Sequence, residues 1–134
     1  MSGKYLLGNM LSALHNKVCF YADPVTVLYS GLCENVLRLM QDNGYVSHYK
    51  ITNEGNKKNI NVWLKIVNGN QKNINFFRLF SKPGNRVYRS VDELKKQFSY
   101  NPFSLILLST PIGVLKIDDA IAKNVGGELL CEIF

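Results

Sequence analysis

The sequence has 134 residues, and 46% of them are hydrophobic, which is enough to bury a core and too much for a disordered tail. Its 16 lysines and arginines against 10 acidic residues give a net charge of +6, which favours a polyanionic partner. No apolar run approaches the ~20 residues that a membrane-spanning helix needs. The sequence therefore predicts one domain, or two small lobes, with no membrane span.

The first third of the chain predicts two helices around a short strand. A helix is expected over Tyr5–Asn16, where apolar residues fall at helical spacing. Val25–Leu28 predicts a strand, and Ser30 is expected to cap a second helix that ends at Gly44. The residues expected on the buried helix faces are Leu7, Met10, Leu11 and Leu14, followed by Leu32, Val36, Leu39 and Met40.

A β-hairpin is expected next, because two runs of alternating apolar residues flank a polar loop. Its strands are expected over Tyr45–Ile51 and Ile60–Val67, with a loop over Thr52–Asn59. Trp63 and Lys65 point away from the apolar face of their strand. Trp63 can stack on a base or meet a neighbouring protein there, but partial burial under another side chain is the expectation. The residues expected on the buried face are Ile60, Val62, Leu64 and Ile66.

The second half of the chain predicts short strands and helices. Phe76–Phe80 predicts a strand, and Val91–Gln97 predicts a short helix with acidic residues at its start. The apolar run Leu105–Leu108 and the turn residues after it predict a hairpin over Leu105–Leu115. Asp118–Asn124 predicts a further helical stretch.

These elements predict an α/β fold of the α+β kind, with two lobes in one chain. Residues 1–70 are expected to pack helices on a small sheet. Residues 71–134 are expected to form a β-rich lobe with one short helix. The boundary is placed within residues 68–75, near a glycine-bearing turn.

A cation-rich turn over residues 81–89 is the first candidate for chemistry. Its Pro-Gly pair suits a type II turn. Lys82, Arg86 and Arg89 can neutralise phosphates, and Tyr88 can stack on a base. Taken alone, such a stretch is more often a solvated loop.

The tip of the predicted hairpin is the second candidate. Ser109 and Thr110 place two hydroxyls before a turn that contains Pro111 and Gly113. Hydroxyls donate and accept hydrogen bonds, so they suit phosphate and ribose oxygens, and a glycine lets a ligand approach the backbone. On the pattern alone, hydroxyls that merely end a strand are the more common case.

Together and in this order, the two stretches resemble the small-subunit ribosomal protein eight family, whose members bind ribosomal RNA. The resemblance covers nearly the whole chain, and the ordered set of motifs is specific although no single motif is. The matches in the second half are Ser81-Lys82-Pro83-Gly84 with Arg86-Val87-Tyr88, Asp92-Glu93-Leu94, Ser109-Thr110 with Gly113-Val114, and Gly126-Gly127-Glu128 with Cys131. The matches in the first half include Met10-Leu11 with Asn16, Ser30 with Leu32, Gly44-Tyr45, and Ile60, Val62, Leu64 and Lys65.

The resemblance implies a structural role in the small ribosomal subunit. The protein would bind the central domain of small-subunit ribosomal RNA at an internal-loop helix, beside neighbouring ribosomal proteins, and support assembly and translation. Cations would neutralise phosphates, Tyr88 would stack, and the hairpin tip would fit a shallow minor groove. Glu128 would accept hydrogen bonds from base amines or hold the tip in place. The implied RNA-binding residues are Ser81, Lys82, Pro83, Gly84, Arg86, Tyr88, Arg89, Ser109, Thr110, Gly113 and Glu128.

Two other functions stay open at this point. The same surface can serve off the ribosome, for example in a translational repressor that binds a messenger. A protein-interaction module is the other alternative, because Gly31, Cys33 and the apolar Ile112 replace lysines or more polar residues that are common in the family. No enzyme, cofactor or metal site is expected, because His15 and His48 lie on separate elements and no phosphate loop or nucleophile elbow is present.

The compartment is predicted from composition. Cys19, Cys33 and Cys131 lack Cys-x-x-Cys spacing and are typical of reduced thiols inside a cell. The 15 asparagines, with many Lys, Ile, Phe and Tyr, have AT-rich codons. The N-terminus has neither a signal-peptide pattern nor an amphipathic presequence. These features predict an organelle-encoded chain of a mitochondrial ribosome, with a plastid or a bacterial cytoplasm as alternatives.

Overall fold

A computed structural model describes residues 3–16, 23–67, 71–72, 74, 76–82, 84–97 and 104–134. The chain divides into two compact units, Met1–Asn75 and Phe76–Phe134. The elements in chain order are α1 (Gly3–Asn16), β1 (Val25–Leu28), α2 (Gly31–Asp42), β2 (Val46–Glu54), β3 (Lys57–Leu64), β4 (Ile66–Val67), β5 (Gln71–Lys72), β6 (Phe77–Leu79), β7 (Tyr88–Arg89), α3 (Val91–Gln97), β8 (Leu105–Thr110), β9 (Gly113–Lys116), α4 (Ile117–Ala122) and β10 (Gly127–Ile133). The expected α+β class is confirmed. The predicted lobe boundary at residue 70 stays a prediction.

The helices of the first unit bury one stripe each. In α1 the four expected residues are buried, since Leu7, Met10, Leu11 and Leu14 are at most 2% exposed. Ser30 caps α2 as predicted, because its hydroxyl accepts a hydrogen bond from the Cys33 N–H at 3.1 Å. The chain leaves α2 through Gly44, whose φ is +85°.

The prediction for the inner face of α2 was wrong at two positions. Leu32 and Leu39 are only half-buried. The buried residues are Cys33, Val36, Leu37 and Met40. Both sets fit the spacing of one helix face, so the apolar pattern alone did not decide between them, and the fold turns the side of α2 that carries Cys33 and Leu37 inward.

The sheet of the first unit has the antiparallel order β1-β3-β2. Ile60, Val62 and Leu64 are buried as expected. The predicted loop over Thr52–Asn59 was wrong, because the ladder continues through the Glu54↔Lys57 pair and leaves a turn of only two residues. Gly55 takes a φ of +62° in that turn. Polar composition hid the strand ends, because both faces are exposed there.

The second unit is organised around β10, which the sequence analysis did not assign as a strand. The order of its sheet is β6-β10-β8-β9, and β7 also pairs with β10. Two short helices, α3 and α4, pack on this sheet; both stretches were predicted as helical, although the predicted architecture of the lobe counted only one short helix. The core between them consists of Leu94, Ile106, Leu108, Ala120 and Leu129.

Several predicted elements differ from the structure only at their ends. The strand near Phe76–Phe80 spans Phe77–Leu79, and the last helix begins one residue before Asp118 and ends at Ala122. Val91–Gln97 is confirmed. Cys19 and the predicted site residue Pro83 lie outside the described residues.

Candidate functional site

The start of β10 fits between two neighbouring strands because it begins with two glycines. A Cβ at Gly126 would come within 2.5 Å of the Arg89 carbonyl oxygen. A Cβ at Gly127 would overlap the Ser109 carbonyl oxygen. Any side chain at either position would push backbone away from backbone. The glycine pair therefore brings the end of β7 and the end of β8 to the same end of the sheet.

Three predicted site residues form one row across this end of the sheet. Glu128 of β10 pairs with Tyr88 of β7 on one side and with Ser109 of β8 on the other. Residues directly opposite each other in an antiparallel sheet share a face. Tyr88 is 60% exposed, Ser109 is half-buried and Glu128 is 6% exposed. The phenol therefore presents a ring to solvent beside a buried carboxylate.

The loop before β7 is held in place by the hydroxyl of Ser81. This buried hydroxyl donates to the Leu129 carbonyl at 2.5 Å and accepts from the Val87 N–H at 3.0 Å. Leu129 lies at an irregularity in the pairing of β10 with β8, so the serine satisfies a carbonyl where the regular ladder is interrupted. Ser81 therefore shapes the loop from inside.

The loop itself is a tight turn that exposes two cations. Lys82 and Asn85 exchange two backbone hydrogen bonds of 3.0 and 2.9 Å, and Gly84 between them has a φ of +82°. That value suits the third position of the predicted type II turn. Lys82 and Arg86 are exposed. Their charges are therefore displayed on a braced loop.

Arg89 is positioned differently from the other two predicted cations. Its guanidinium donates to Gln97 Oε1 at 3.0 Å and to the Tyr88 carbonyl at 2.8 Å, and the residue is half-buried. These bonds tie β7 to the end of α3. Two of the five guanidinium donors are thus used within the chain.

The hairpin tip is closed by the hydroxyl of Thr110. This hydroxyl donates to the Gly113 carbonyl at 2.7 Å and accepts from the Ile112 N–H at 3.3 Å. Thr110 is only 8% exposed, and Gly113 has a φ of +122°. Ile112 is 57% exposed at the tip. The tip therefore offers solvent an apolar side chain and glycine backbone rather than the threonine hydroxyl.

The structure thus sorts the predicted residues into three groups. The exposed ones are Lys82, Gly84, Arg86, Tyr88 and Gly113; the half-buried ones are Arg89 and Ser109; and the buried ones are Ser81, Thr110 and Glu128. We call the exposed residues Lys82, Arg86, Tyr88, Ile112 and Gly113, with Ser109, the loop–tip surface.

Three contributors to this surface were absent from the predicted site. Gly126 and Gly127 bring its two halves together, and Ile112 stands at its tip. The signal for the glycines was in the sequence, since adjacent glycines before an apolar run indicate close backbone approach. The close neighbours themselves, Arg89 for Gly126 and Ser109 for Gly127, are 37 and 18 residues away along the chain, so only the folded sheet reveals them.

The titratable groups around the surface serve packing and capping. Ser90 and Glu93 form a capping box at the start of α3, with the Ser90 N–H donating to Glu93 Oε1 at 3.2 Å. Hydrogen bonds from Ser90 lower the pKa of the Glu93 carboxyl. Burial raises the pKa of the Cys131 thiol to about 12, which keeps it protonated and unreactive.

Two classes of site are absent from the described part of the chain. No three or more His, Cys, Asp or Glu side chains cluster there as metal ligands would. Every helix in those ranges is too short or too polar to cross a membrane.

The chain is similar to known proteins over nearly its full length. The family described as Ribosomal protein S8 matches residues 6–134. The small ribosomal subunit protein uS8 of Nitratiruptor sp. is 36% identical over 132 residues, which is 96% of this chain and 97% of that protein. The proteins of the same name from Campylobacter fetus subsp. fetus and Sulfurovum sp. are 36% and 33% identical, each with the same coverage of 96% and 97%.

Proposed function

The chain belongs to the ribosomal protein S8 family, and from this premise we propose that it binds small-subunit ribosomal RNA through its loop–tip surface. The family resemblance noted in the sequence is confirmed. The protein is a structural component of the small ribosomal subunit and is not an enzyme. The RNA partner and its contact residues form the proposal, with the central-domain internal-loop helix as the target.

The observation that carries the proposal is the row of Tyr88, Glu128 and Ser109 at the glycine-paired start of β10. An exposed aromatic ring stacks on a splayed base, as single-stranded or internal-loop RNA requires. Lys82 and Arg86 on the neighbouring turn neutralise phosphates. The tip, which exposes the Gly113 backbone beside Ile112, enters the shallow minor groove, where shape and 2′-hydroxyls are read.

The buried members of the predicted site act indirectly in this mechanism. Ser81 and Thr110 set the shapes of the loop and the tip through hydrogen bonds inside the chain. Glu128, buried between Tyr88 and Ser109, supports the row and is not the principal acceptor for base amines. Arg89 adds charge from a fixed position. The affinity is therefore assigned to Tyr88, Lys82 and Arg86.

The test is titration of the full chain against a transcript of the central-domain internal-loop helix from its own ribosomal RNA. A scrambled transcript of equal length is the control, and both are titrated at several salt concentrations. Selective binding that keeps part of its affinity at high salt supports the proposal. Equal binding of both transcripts with a steep salt slope contradicts it, because phosphate attraction alone would then explain the affinity.

A pair of charge variants locates the binding surface. Arg86→Ala should weaken binding and reduce the salt slope by about one, because one phosphate contact is lost. Lys123→Ala is the matched control, since Lys123 is an exposed cation of the same unit outside the loop–tip surface. Equal losses for both variants would contradict the assignment of the surface.

A protein neighbour at the hairpin tip is the second candidate, and the observation that favours it is the exposed Ile112. An apolar side chain on a turn is better covered by protein than by phosphates. A pull-down with ribosomal proteins that survives nuclease treatment and is lost in Ile112→Ser would favour this role. Loss of the complex on nuclease treatment would leave RNA as the partner of the tip.

The site of action is the last part of the proposal. The relatives named above are bacterial, which supports a bacterial ribosome. A mitochondrial ribosome stays a proposal that rests on the composition of the chain. Sedimentation with small subunits from the source cell, before and after organelle purification, separates these locations. Absence from the subunit peak, with binding to a messenger, would favour a translational regulator.

A further inference from the structure

The outer face of the three-stranded sheet in the first unit carries a stacked ring pair. His48 of β2 and Trp63 of β3 are directly opposite each other. Their ring centroids are 4.4 Å apart, and the planes differ by 14°. His48 is exposed and Trp63 is half-buried, so the expectation of partial burial for Trp63 is confirmed. The pair therefore ends in an exposed imidazole that can accept one more flat ring.

The position of the His48 ring is fixed by its neighbours. Pairing between β2 and β3 shifts at Ser47, so this residue forms a bulge immediately before the ring. Gln41 of α2 donates to the Ser47 carbonyl at 3.2 Å, and the Ser47 hydroxyl lies 3.2 Å from His48 Nδ1. Bulges commonly aim a side chain at a functional position. The bulge and these hydrogen bonds therefore fix the His48 ring on the exposed face of the sheet.

The next row of the same face carries hydrogen-bonding and charged groups. Lys50, Asn61 and Thr26 lie in register on β2, β3 and β1. The Thr26 hydroxyl donates to Asn61 Oδ1 at 2.8 Å, which leaves the amide NH2 as the group that Asn61 can offer to an acceptor. Lys50 is exposed beside it. A cation and an amide donor therefore lie next to the ring pair.

The positive charge of the β2–β3 hairpin indicates which kind of ligand this sheet face would bind. Residues 46–65 contain four lysines and one glutamate, with no other formally charged residue. If the ring pair served only to stabilise the hairpin, it would need no lysines, because cross-strand ring pairs stabilise a sheet by themselves. Lys58 lies over the Tyr29 ring at 4.0 Å, whereas Lys50 is exposed in the row next to the ring pair. An aromatic platform with a cation beside it fits single-stranded nucleic acid, whose bases stack and whose phosphates need neutralising.

We propose that the outer face of the β1-β3-β2 sheet, centred on His48, Trp63, Lys50 and Asn61, binds an unpaired segment of RNA. One base stacks on His48 and extends the ring pair. Lys50 neutralises a neighbouring phosphate, and the Asn61 amide donates to a base or phosphate oxygen. This site lies in the first unit and uses none of the residues of the loop–tip surface.

The test uses the full chain and a ten-nucleotide oligo-uridine labelled with fluorescein, whose anisotropy reports binding. Trp63 is the single tryptophan of the sequence, so its emission reports events at the proposed site. The parent should bind the oligomer with a change in Trp63 emission. An oligomer of equal length without bases should leave the emission unchanged.

Variants of exposed residues keep the result interpretable. His48→Ala should weaken binding about ten-fold, because one stacked base is lost. His48→Phe should stay within about two-fold of the parent, since a flat ring is restored. Lys50→Ala should reduce the salt slope by about one. Tyr88→Ala, in the second unit, should leave the change in Trp63 emission intact.

Three results would overturn the proposal. His48→Ala could bind as tightly as the parent, or the oligomer without bases could change Trp63 emission as much as oligo-uridine. Absence of any emission change would also overturn it and leave the face to a protein neighbour. None of these results bears on the loop–tip surface, which is tested with residues of the second unit and a structured transcript.

Discussion

Two turns of the second unit are each held by a buried hydroxyl, but the hydrogen-bond partners of the two hydroxyls lie at different distances along the chain. In each, a buried hydroxyl donates one hydrogen bond and accepts another. Ser81 bonds the Leu129 carbonyl, 48 residues away, and so braces its loop against another strand. Thr110 bonds only Ile112 and Gly113 within its own hairpin. The first hydroxyl is a tertiary brace, and the second closes a local turn.

This difference determines how each region should respond to mutation. The Leu129 carbonyl belongs to a buried residue, so water cannot readily replace the Ser81 hydroxyl. The partners of Thr110 are at an exposed tip, where water can replace the lost bonds. Damage to the brace should therefore affect the whole unit, whereas damage to the tip should stay local.

The largest loss of stability is expected at Gly127, at the start of β10, which lies next to the end of β8. Gly127→Ala should destabilise the chain by about 3 kcal/mol, because the new Cβ overlaps the Ser109 carbonyl and forces strands apart. Urea denaturation followed by circular dichroism measures the change. Gly31→Ala is the matched control, since a Cβ there meets nothing within 4 Å. Equal stability of the two variants would mean that β10 is not held this closely.

Ser81→Ala should have the next largest effect. Loss of two hydrogen bonds, one of them to a buried carbonyl, should lower the free energy of unfolding by about 2 kcal/mol. Hydrogen exchange at the Val87 amide should also accelerate. Unchanged exchange at Val87 would contradict the brace.

Thr110→Ala should destabilise the chain by only about 1 kcal/mol, because its hydrogen bonds are local and water can replace them. Thr110→Ser keeps the hydroxyl and should be closer to the parent. Urea midpoints of the three proteins provide the measurement. A loss for Thr110→Ala that exceeds the loss for Ser81→Ala would reverse the comparison.

The smallest effect is expected at the capping box of α3. The folded-state pKa of Glu93 is lowered by hydrogen bonds from Ser90, so its contribution to stability is present above the unfolded pKa near 4.5. That contribution is lost as the pH falls through the folded pKa. The protection of α3 amides against hydrogen exchange, measured relative to the intrinsic exchange rate at each pH, should therefore fall below about pH 4.5 in the parent. Glu93→Gln should show a weaker pH response, and an identical response would contradict the role of the carboxylate.

Elements with a clear apolar period could be predicted from the sequence, whereas residues that act through pairing could not. The α1 stripe and the Ser30 cap depend on local spacing and were correct. β10 and the two-residue strand β7 were missed, because their identity comes from pairing with distant strands. The family resemblance supplied the candidate site residues, but it could not distinguish the exposed Tyr88 from the buried Ser81 and Thr110. That distinction depends on which hydroxyls the folded chain uses internally.

The most direct test of the central claim compares three proteins binding the central-domain transcript: the parent, Tyr88→Phe and Tyr88→Ala. Tyr88 is the aromatic residue of the loop–tip surface and is 60% exposed, so neither substitution should disturb the core. Tyr88→Phe should bind like the parent, and Tyr88→Ala should lose about 1–3 kcal/mol of binding free energy with selectivity over the scrambled transcript reduced. Equal affinity of all three proteins would contradict the claim that this surface recognises the RNA by stacking.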